Sequence, residues 1–188
     1  MSNLKELTKH HHTRAEKTAF VNRMLKKNMT PIQYYIYLSN MFLMYSILEE
    51  WSEKAGVLEG IEGIKRSVNM MKDLQELEKM HNFKTPKPLK SAMHYYDYVM
   101  RLEDDKDKLL AHIYVHHMGD LSGGQILKRF VFGSATRYEF DGDIEVLKSK
   151  MREKLHDGLA DEAKTCFDMV TEFLEELEES VGHMGTTD

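Results

Sequence analysis

An all-α fold is what this sequence predicts, and three observations carry the prediction. Apolar residues recur at intervals of three and four over most of the chain. No stretch alternates polar and apolar residues as a pair of strands would. Proline is almost absent, with three in 188 residues, two of them in one short segment. The pattern predicts about seven or eight helices.

The first helix is expected over residues 3–25. The second has a well-marked start: Thr30 as N-cap, Pro31 at the first helical position and Gln33 completing a capping box. It should run to about Lys54. Ile61, Ile64, Val68, Met71, Leu74 and Leu77 stripe a third helix. Residues 81–88 read as a loop, because Pro86 and Pro88 forbid helix continuation. Ala92, Tyr95, Tyr96, Val99 and Leu102 mark the next helix. A glycine-containing helix should span 105–132, with Leu109, Leu110, Ile113, Ile126, Leu127 and Phe130 on its buried side. Residues 133–142 read as irregular. Ile144, Leu147, Met151 and Leu155 stripe another helix, stopped near Gly158. Asp161 can cap the last, with Phe167, Val170, Phe173, Leu174 and Leu177 inward and Gly182 ending it. With no repeat and no low-complexity linker, residues 1–188 are expected to form one domain with a polar tail from about residue 183.

Composition narrows the function. Lys and Arg total 26 against 31 Asp and Glu, a net charge of −5, which offers no general surface for nucleic acid. The single cysteine, Cys166, excludes an intrachain disulfide and suits a reducing cytosol. Residues 32–48 carry no acidic or basic side chain, yet include Gln33, Asn40, two serines and four tyrosines, so they read as a buried central helix rather than a membrane span. With no apolar anchor visible at Gly185-Thr186-Thr187-Asp188, a soluble, monomeric, cytoplasmic protein is expected.

The most informative stretch is Met118-Gly119-Asp120-Leu121-Ser122-Gly123-Gly124-Gln125. Three glycines surround one carboxylate inside a helix, although each interior glycine costs about 1 kcal/mol relative to alanine. A helix carries that cost where something flat must approach its backbone, or where it must bend. On the first helix, Lys5, Lys9, His12, Glu16 and Ala19 share one face. Such a face is poor core and a good wall for an anionic, planar, metal-containing ligand: an imidazole to ligate iron, room above Ala15 and Ala19, lysines for carboxylates. From spacing alone, a solvated face with a surface histidine explains the same residues. His10 and His11 are rival ligands, but they point about 200° and 100° away from His12 around a helix.

His12-Thr13-Arg14-Ala15-Glu16 together with Gly119-Asp120-Leu121-Ser122-Gly123-Gly124-Gln125 closely resembles the haem oxygenase family, in which helical segments of this order fill nearly the whole domain. The resemblance implies a single-domain bundle holding haem b between the first helix and a kinked, glycine-rich distal helix. It implies His12 as the proximal ligand of the haem iron, with Lys5 and Lys9 near the propionates and Glu16 beside the histidine. Gly119 and Gly123 would lie against the distal face, and Asp120 would order distal water that supplies protons. Tyr45 aligns with a tyrosine of the distal water network, Tyr114 with the haem edge and Phe167 with a pocket-wall aromatic. Two positions depart from the better-known members. Lys148 stands where relatives usually carry Arg, which loses bidentate pairing with a propionate. His116 also stands where they carry Arg, and a histidine there can titrate near neutrality.

The activity implied is cleavage of haem by O₂ and external electrons to biliverdin, by default the IX-α isomer, with CO and ferrous iron. A ferredoxin or a flavoprotein reductase would supply the electrons. A haem-binding protein without turnover is the alternative, although it has no use for Asp120 in so costly a setting. A di-iron carboxylate enzyme is a third reading, because Glu78–His81 and Glu153–His156 both show Glu-x-x-His spacing. Cys166, with no supporting context, reads as core.

Overall fold

A computed structural model describes residues 1–184, and the described residues are helical with no strand. Gly185 to Asp188 of the expected polar tail lie outside the described residues. The helices are α1 (Leu4–Glu16), α2 (Ala19–Leu25), α3 (Pro31–Lys54), α4 (Ser67–His81), α5 (Lys90–Met100) and α6 (Lys106–Ile113). They continue with α7 (Gly119–Ser122), α8 (Gly124–Leu127), α9 (Ile144–Lys154) and α10 (Ala160–Val181). From α6 to α8 the chain forms one bent distal run, joined through a π-turn at Tyr114–Met118.

Two long helices organise the bundle. α3 packs on α4, α5 and α6, and α10 on α1, α2, α5 and α6. α3 is buried or half-buried on every side, from Tyr34 and Leu38 through Met44 and Tyr45 to Leu48, as its uncharged stretch requires. Its start is the capping box: Gln33 N–H donates to Thr30 Oγ1 (3.4 Å) and Thr30 N–H to Gln33 Oε1 (2.9 Å). The same glutamine donates from Nε2 to the Val181 carbonyl at the end of α10 (2.8 Å), so one residue caps one long helix and ties it to the other. No helix of the described residues is long and apolar enough to cross a membrane.

Several boundaries differ from the pattern-based expectation. The first helix breaks at Lys17 and Thr18, whose amides bond to the carbonyls of Thr13 and Ala15. α4 begins at Ser67 rather than near Ile61, because the buried Glu49 of α3 accepts from the Arg66 and Ser67 amides (2.5 and 3.0 Å) and fixes the helix start there. Ile61 and Ile64 are buried in the preceding turn instead. α9 stops at Lys154, short of Gly158. α10 starts from a 3₁₀ turn at Asp157–Leu159, with Asp161 in its first turn rather than at its cap.

The stretch 133–142 is irregular in outline and closely held. Asp73 of α4 accepts from the Thr136 amide (2.8 Å), the Thr136 hydroxyl (2.6 Å) and the Arg137 amide (2.8 Å). The buried Arg66 donates to the carbonyls of Ile64, Gly63, Arg137 and Glu139, and lies 3.9 Å from the Phe140 ring centre. Two side chains of the α4 region thus replace the backbone ladder this stretch lacks. Asp73→Ala should destabilise the chain by about 3 kcal/mol, a value typical of losing hydrogen bonds to a buried carboxylate. Urea denaturation should show this, with proteolysis starting within 133–142.

Candidate functional site

α1 has two unlike faces. Leu4, Thr8 and Ala15 are buried against α10, and His11 on the same side meets Asp168 (2.8 Å), which also accepts from Arg14 (2.7 Å). The other face presents Lys5, Lys9, His12 and Glu16 to solvent. His11 is therefore committed to α10; His10 and His12 are both exposed, and His12 is the one on the face of Lys5, Lys9 and Glu16. Its Nε2 lies 3.3 Å from Glu16 Oε1, and its ring stands edge-on to Phe167 of α10 at 5.4 Å. The carboxylate lies on the side of one ring nitrogen, and the ring is otherwise open to solvent. Lys9 lies 3.5 Å from Glu6 in an exposed pair.

The distal run is the second element that the sequence motifs mark. Its α-helix is interrupted at the π-turn, ahead of the glycines, and again at Gly123 between α7 and α8. The glycines differ in what they do. A Cβ on Gly124 would lie 2.8 Å from a ring carbon of Tyr138, so that glycine serves packing. A Cβ on Gly119 would meet nothing within 4 Å, and one on Gly123 only the Gly119 carbonyl at 3.6 Å. Their φ angles, −59° and −74°, are ordinary for a helix. Neither the backbone nor any neighbour in the protein requires glycine at 119 or 123. Both face open space.

Asp120 points the other way, into the core, and is 7% exposed. Tyr45 of α3 donates to its Oδ2 (2.6 Å), and Arg137 Nη2 donates to its Oδ1 (3.2 Å). Burial, then the Asp120 charge, push the Tyr45 phenol well above its ordinary pKa, so it serves as a donor. Arg137, 1% exposed, is the residue that sequence reasoning missed. Its guanidinium lies 4.9 Å from the Tyr138 ring and 5.7 Å from those of Tyr37 and Tyr45. Its Nε and Nη1, with the hydroxyls of Tyr34 and Tyr138, have no protein partner. They are a cluster of buried polar groups behind the distal run, of the kind ordered water serves.

A row of histidines adjoins this cluster. His116 Nε2 lies 3.1 Å from Tyr95 Oη, and His117 Nε2 2.9 Å from Glu49 Oε1. Both rings pack on Tyr45, at 5.1 and 4.8 Å. Burial, helped by His117, His112 and Arg137, holds His116 well below the ordinary histidine pKa, and burial lowers His112 as well. The expectation that His116 titrates near neutrality is therefore corrected: it is a neutral imidazole in the folded chain. Tyr95, His112, Glu49 and Glu162 were also not singled out from sequence. The available signal was the four-residue spacing of His112 and His116 among apolar neighbours.

Against known proteins, the Heme oxygenase family model matches residues 1–176. The chain is 31% identical to heme oxygenase 1 of Nostoc sp. PCC 7120, covering 91% of this chain and 82% of that protein. The chain belongs to the haem oxygenase family. Heme oxygenase-1 of the cyanobacterium Synechocystis sp. PCC 6803, solved in complex with heme, superimposes with a TM-score of 0.82 at 28% identity, covering 96% of this chain and 95% of that one. Heme oxygenase-2 of the same organism, solved with heme and NO, gives 0.83 at 25% identity, covering 94% and 84%.

As a haem oxygenase family member the chain has residues that fit haem. Its two walls are an exposed histidine with a carboxylate partner and a helix whose glycines face open space. Tyr114 in the π-turn is half-buried, with its hydroxyl at Thr8 of α1, so it joins the two walls. Lys148 of α9 is half-buried and pairs with Glu145 (2.8 Å). Cys166 is buried against Tyr95, and burial pushes its thiol well up, as suits core. The di-iron alternative finds no support: Glu78 accepts from Tyr35 (2.6 Å), His156 pairs with Asp107, and no group of three such ligands occurs among the described residues.

Two predictions follow from this geometry. Gly119→Ala or Gly123→Ala should raise the stability of the haem-free chain by about 0.5–1 kcal/mol, whereas Gly124→Ala should lower it; equilibrium unfolding separates the two classes. The second concerns pH. His112 and His116 have folded pKa values below 6.5, so the unfolded chain takes up protons first as pH falls. Stability should therefore be held above about pH 6.5 and drop progressively below it. His116→Gln, which does not titrate, should flatten that slope in thermal melts taken between neutral pH and about 5.

Proposed function

We propose that this haem oxygenase binds haem b between α1 and the distal run and opens it oxidatively to biliverdin, CO and ferrous iron. The observation that carries the reading is the pair Gly119 and Gly123: helix positions that cost stability, face open space and lack any reason inside the protein to be glycine. Haem, as substrate and cofactor together, supplies the iron at which oxygen is activated and the ring that is opened.

The chain's own residues would act as follows. His12 would hold the iron, with Glu16 fixing its ring; Lys5, Lys9 and Lys148 would meet the propionates and so set which meso carbon is presented, the α position by default. Phe167 would support the proximal side through its edge contact with His12. Gly119 and Gly123 would let the helix backbone approach the macrocycle while leaving no side chain to obstruct oxygen. Asp120, fixed by Tyr45 and Arg137, would hold water at the buried polar cluster as the proton source. A binding-only reading gives this buried carboxylate and its two partners a structural role alone. O₂ and two-electron or one-electron carriers of the ferredoxin or flavoprotein type complete the requirements, and the lone buried thiol suits a reducing compartment such as the cytosol.

Haem added to the purified chain under air with ascorbate should form a Soret band that decays as red biliverdin absorbance grows. A Soret band that persists would reduce the function to binding. His12→Ala should abolish the histidine-ligated spectrum. Asp120→Ala should cut biliverdin yield at least about tenfold. Because that variant also strands Arg137, Tyr45→Phe serves as the milder companion and should lower the yield with the fold intact. Gly119→Leu should block haem uptake in a chain that still folds.

A further inference from the structure

The hydrogen-bonded row behind the distal run continues past His116 to the surface. His116 Nε2 lies 3.1 Å from Tyr95 Oη, the same hydroxyl lies 2.8 Å from His112 Nδ1, and His112 Nε2 lies 3.0 Å from Glu162 Oε1. Tyr98 donates to that same carboxylate oxygen (2.6 Å). Tyr95 and His112 are fully buried, whereas the Glu162 side chain is 14% exposed. It lies at a surface depression with Asp105, Asp107, Lys108 and Asp161. At the inner end, the His116 ring stands edge-on to Tyr45, whose hydroxyl holds Asp120.

We propose that Glu162, His112, Tyr95 and His116 form a proton path from the α6–α10 surface to the distal pocket, with Glu162 as its collecting group. The proposal rests on the haem-opening reading above, since that reaction consumes protons at the distal side. Every interior group is an imidazole or a phenol, able to accept a proton on one side and release one on the other. The carboxylates around Glu162 concentrate protons at the outer end. Burial keeps both imidazoles neutral at rest, so they pass a proton on rather than store it.

The transfer balances without any redox partner. The Glu162–His112 pair takes a proton from water. His112 Nδ1–H passes to Tyr95 Oη as the phenol's own proton moves to His116 Nε2, and the Nδ1 proton of His116 would leave to water at the inner end, where the ring packs on Tyr45. Only O–H and N–H bonds form and break, and a return of the tautomers and the hydroxyl resets the row.

A purely structural tie between α5, α6 and α10 would use the same contacts, so the test must read proton movement. In the haem-free chain with ¹⁵N-labelled histidine, exchange of the His116 ring proton with solvent is measured by NMR beside the amide exchange of α10. Glu162→Gln and Tyr95→Phe are each expected to slow ring exchange about tenfold with the α10 amides unchanged. Unchanged ring exchange, or ring and amide rates that shift together, would overturn the path. In the haem-loaded chain, Glu162→Gln should slow biliverdin formation about tenfold and enlarge the solvent isotope effect, and acetate should restore the rate of Glu162→Ala. Wild-type rates and isotope effects in Glu162→Gln would also overturn it. Failure of the wild type to open haem would instead defeat the functional reading, and the ring-exchange result alone would then decide the path.

Discussion

A carboxylate in the core is the constraint from which much of this structure follows. Asp120 lies on a bent helix with open glycines on either side, and its charge is out of water. Such a group is tolerated only with partners, and removing one partner of a buried pair typically costs about 3–5 kcal/mol. Tyr45 reaches it from α3 and Arg137 from the 133–142 stretch. Arg137 can do so only because Asp73 and Arg66 hold that stretch against α4. Glu49 in turn caps α4 and bonds His117. The site thus draws on α3, α4 and the distal run together, and the polar groups specify one arrangement of elements that apolar packing alone would leave adjustable.

The two walls of the groove are held very differently from this interior. α1 buries a thin stripe and otherwise relies on pairs such as Arg14–Asp168, both about half-exposed, and on Asp157 accepting from the Asn3 amide (2.6 Å). Exposed pairs contribute at most about 1 kcal/mol each. The facing helix carries glycines that weaken it further. Stability is therefore concentrated in α3 and α10, and the surfaces offered to the ligand belong to the least stabilised elements, which is where ligand contact can tighten the protein.

The helices were legible in sequence wherever local chemistry decides: the Thr30–Gln33 capping box, the Pro86–Pro88 loop and the glycine at the end of α10. They were misread where a distant side chain decides. The start of α4 is set by Glu49, many residues earlier, and no periodicity could move it from Ile61 to Ser67. The site followed the same division. Glycines around Asp120 and the His12 face are local patterns and stood out. Arg137 carried no local signal, since its burial comes from Asp73 and Arg66 gripping the backbone around it. The π-turn was equally hidden, because Tyr114 to Met118 carries no residue that forces a wider turn.

The charge beside Asp120 is balanced by a residue that the sequence motifs do not mark. Position 116 carries a buried imidazole held neutral, and the permanent cation comes from position 137 on another element. A guanidinium keeps its charge at any pH the folded chain meets. The balance across Asp120 therefore does not depend on a histidine, which leaves His116 chemically idle as a counter-ion. Being neutral and hydrogen-bonded to Tyr95, it is suited instead to relaying protons between that hydroxyl and the pocket. Two tasks are thus separate in this chain: Arg137 fixes the carboxylate, and the 116 position carries a group that can exchange protons.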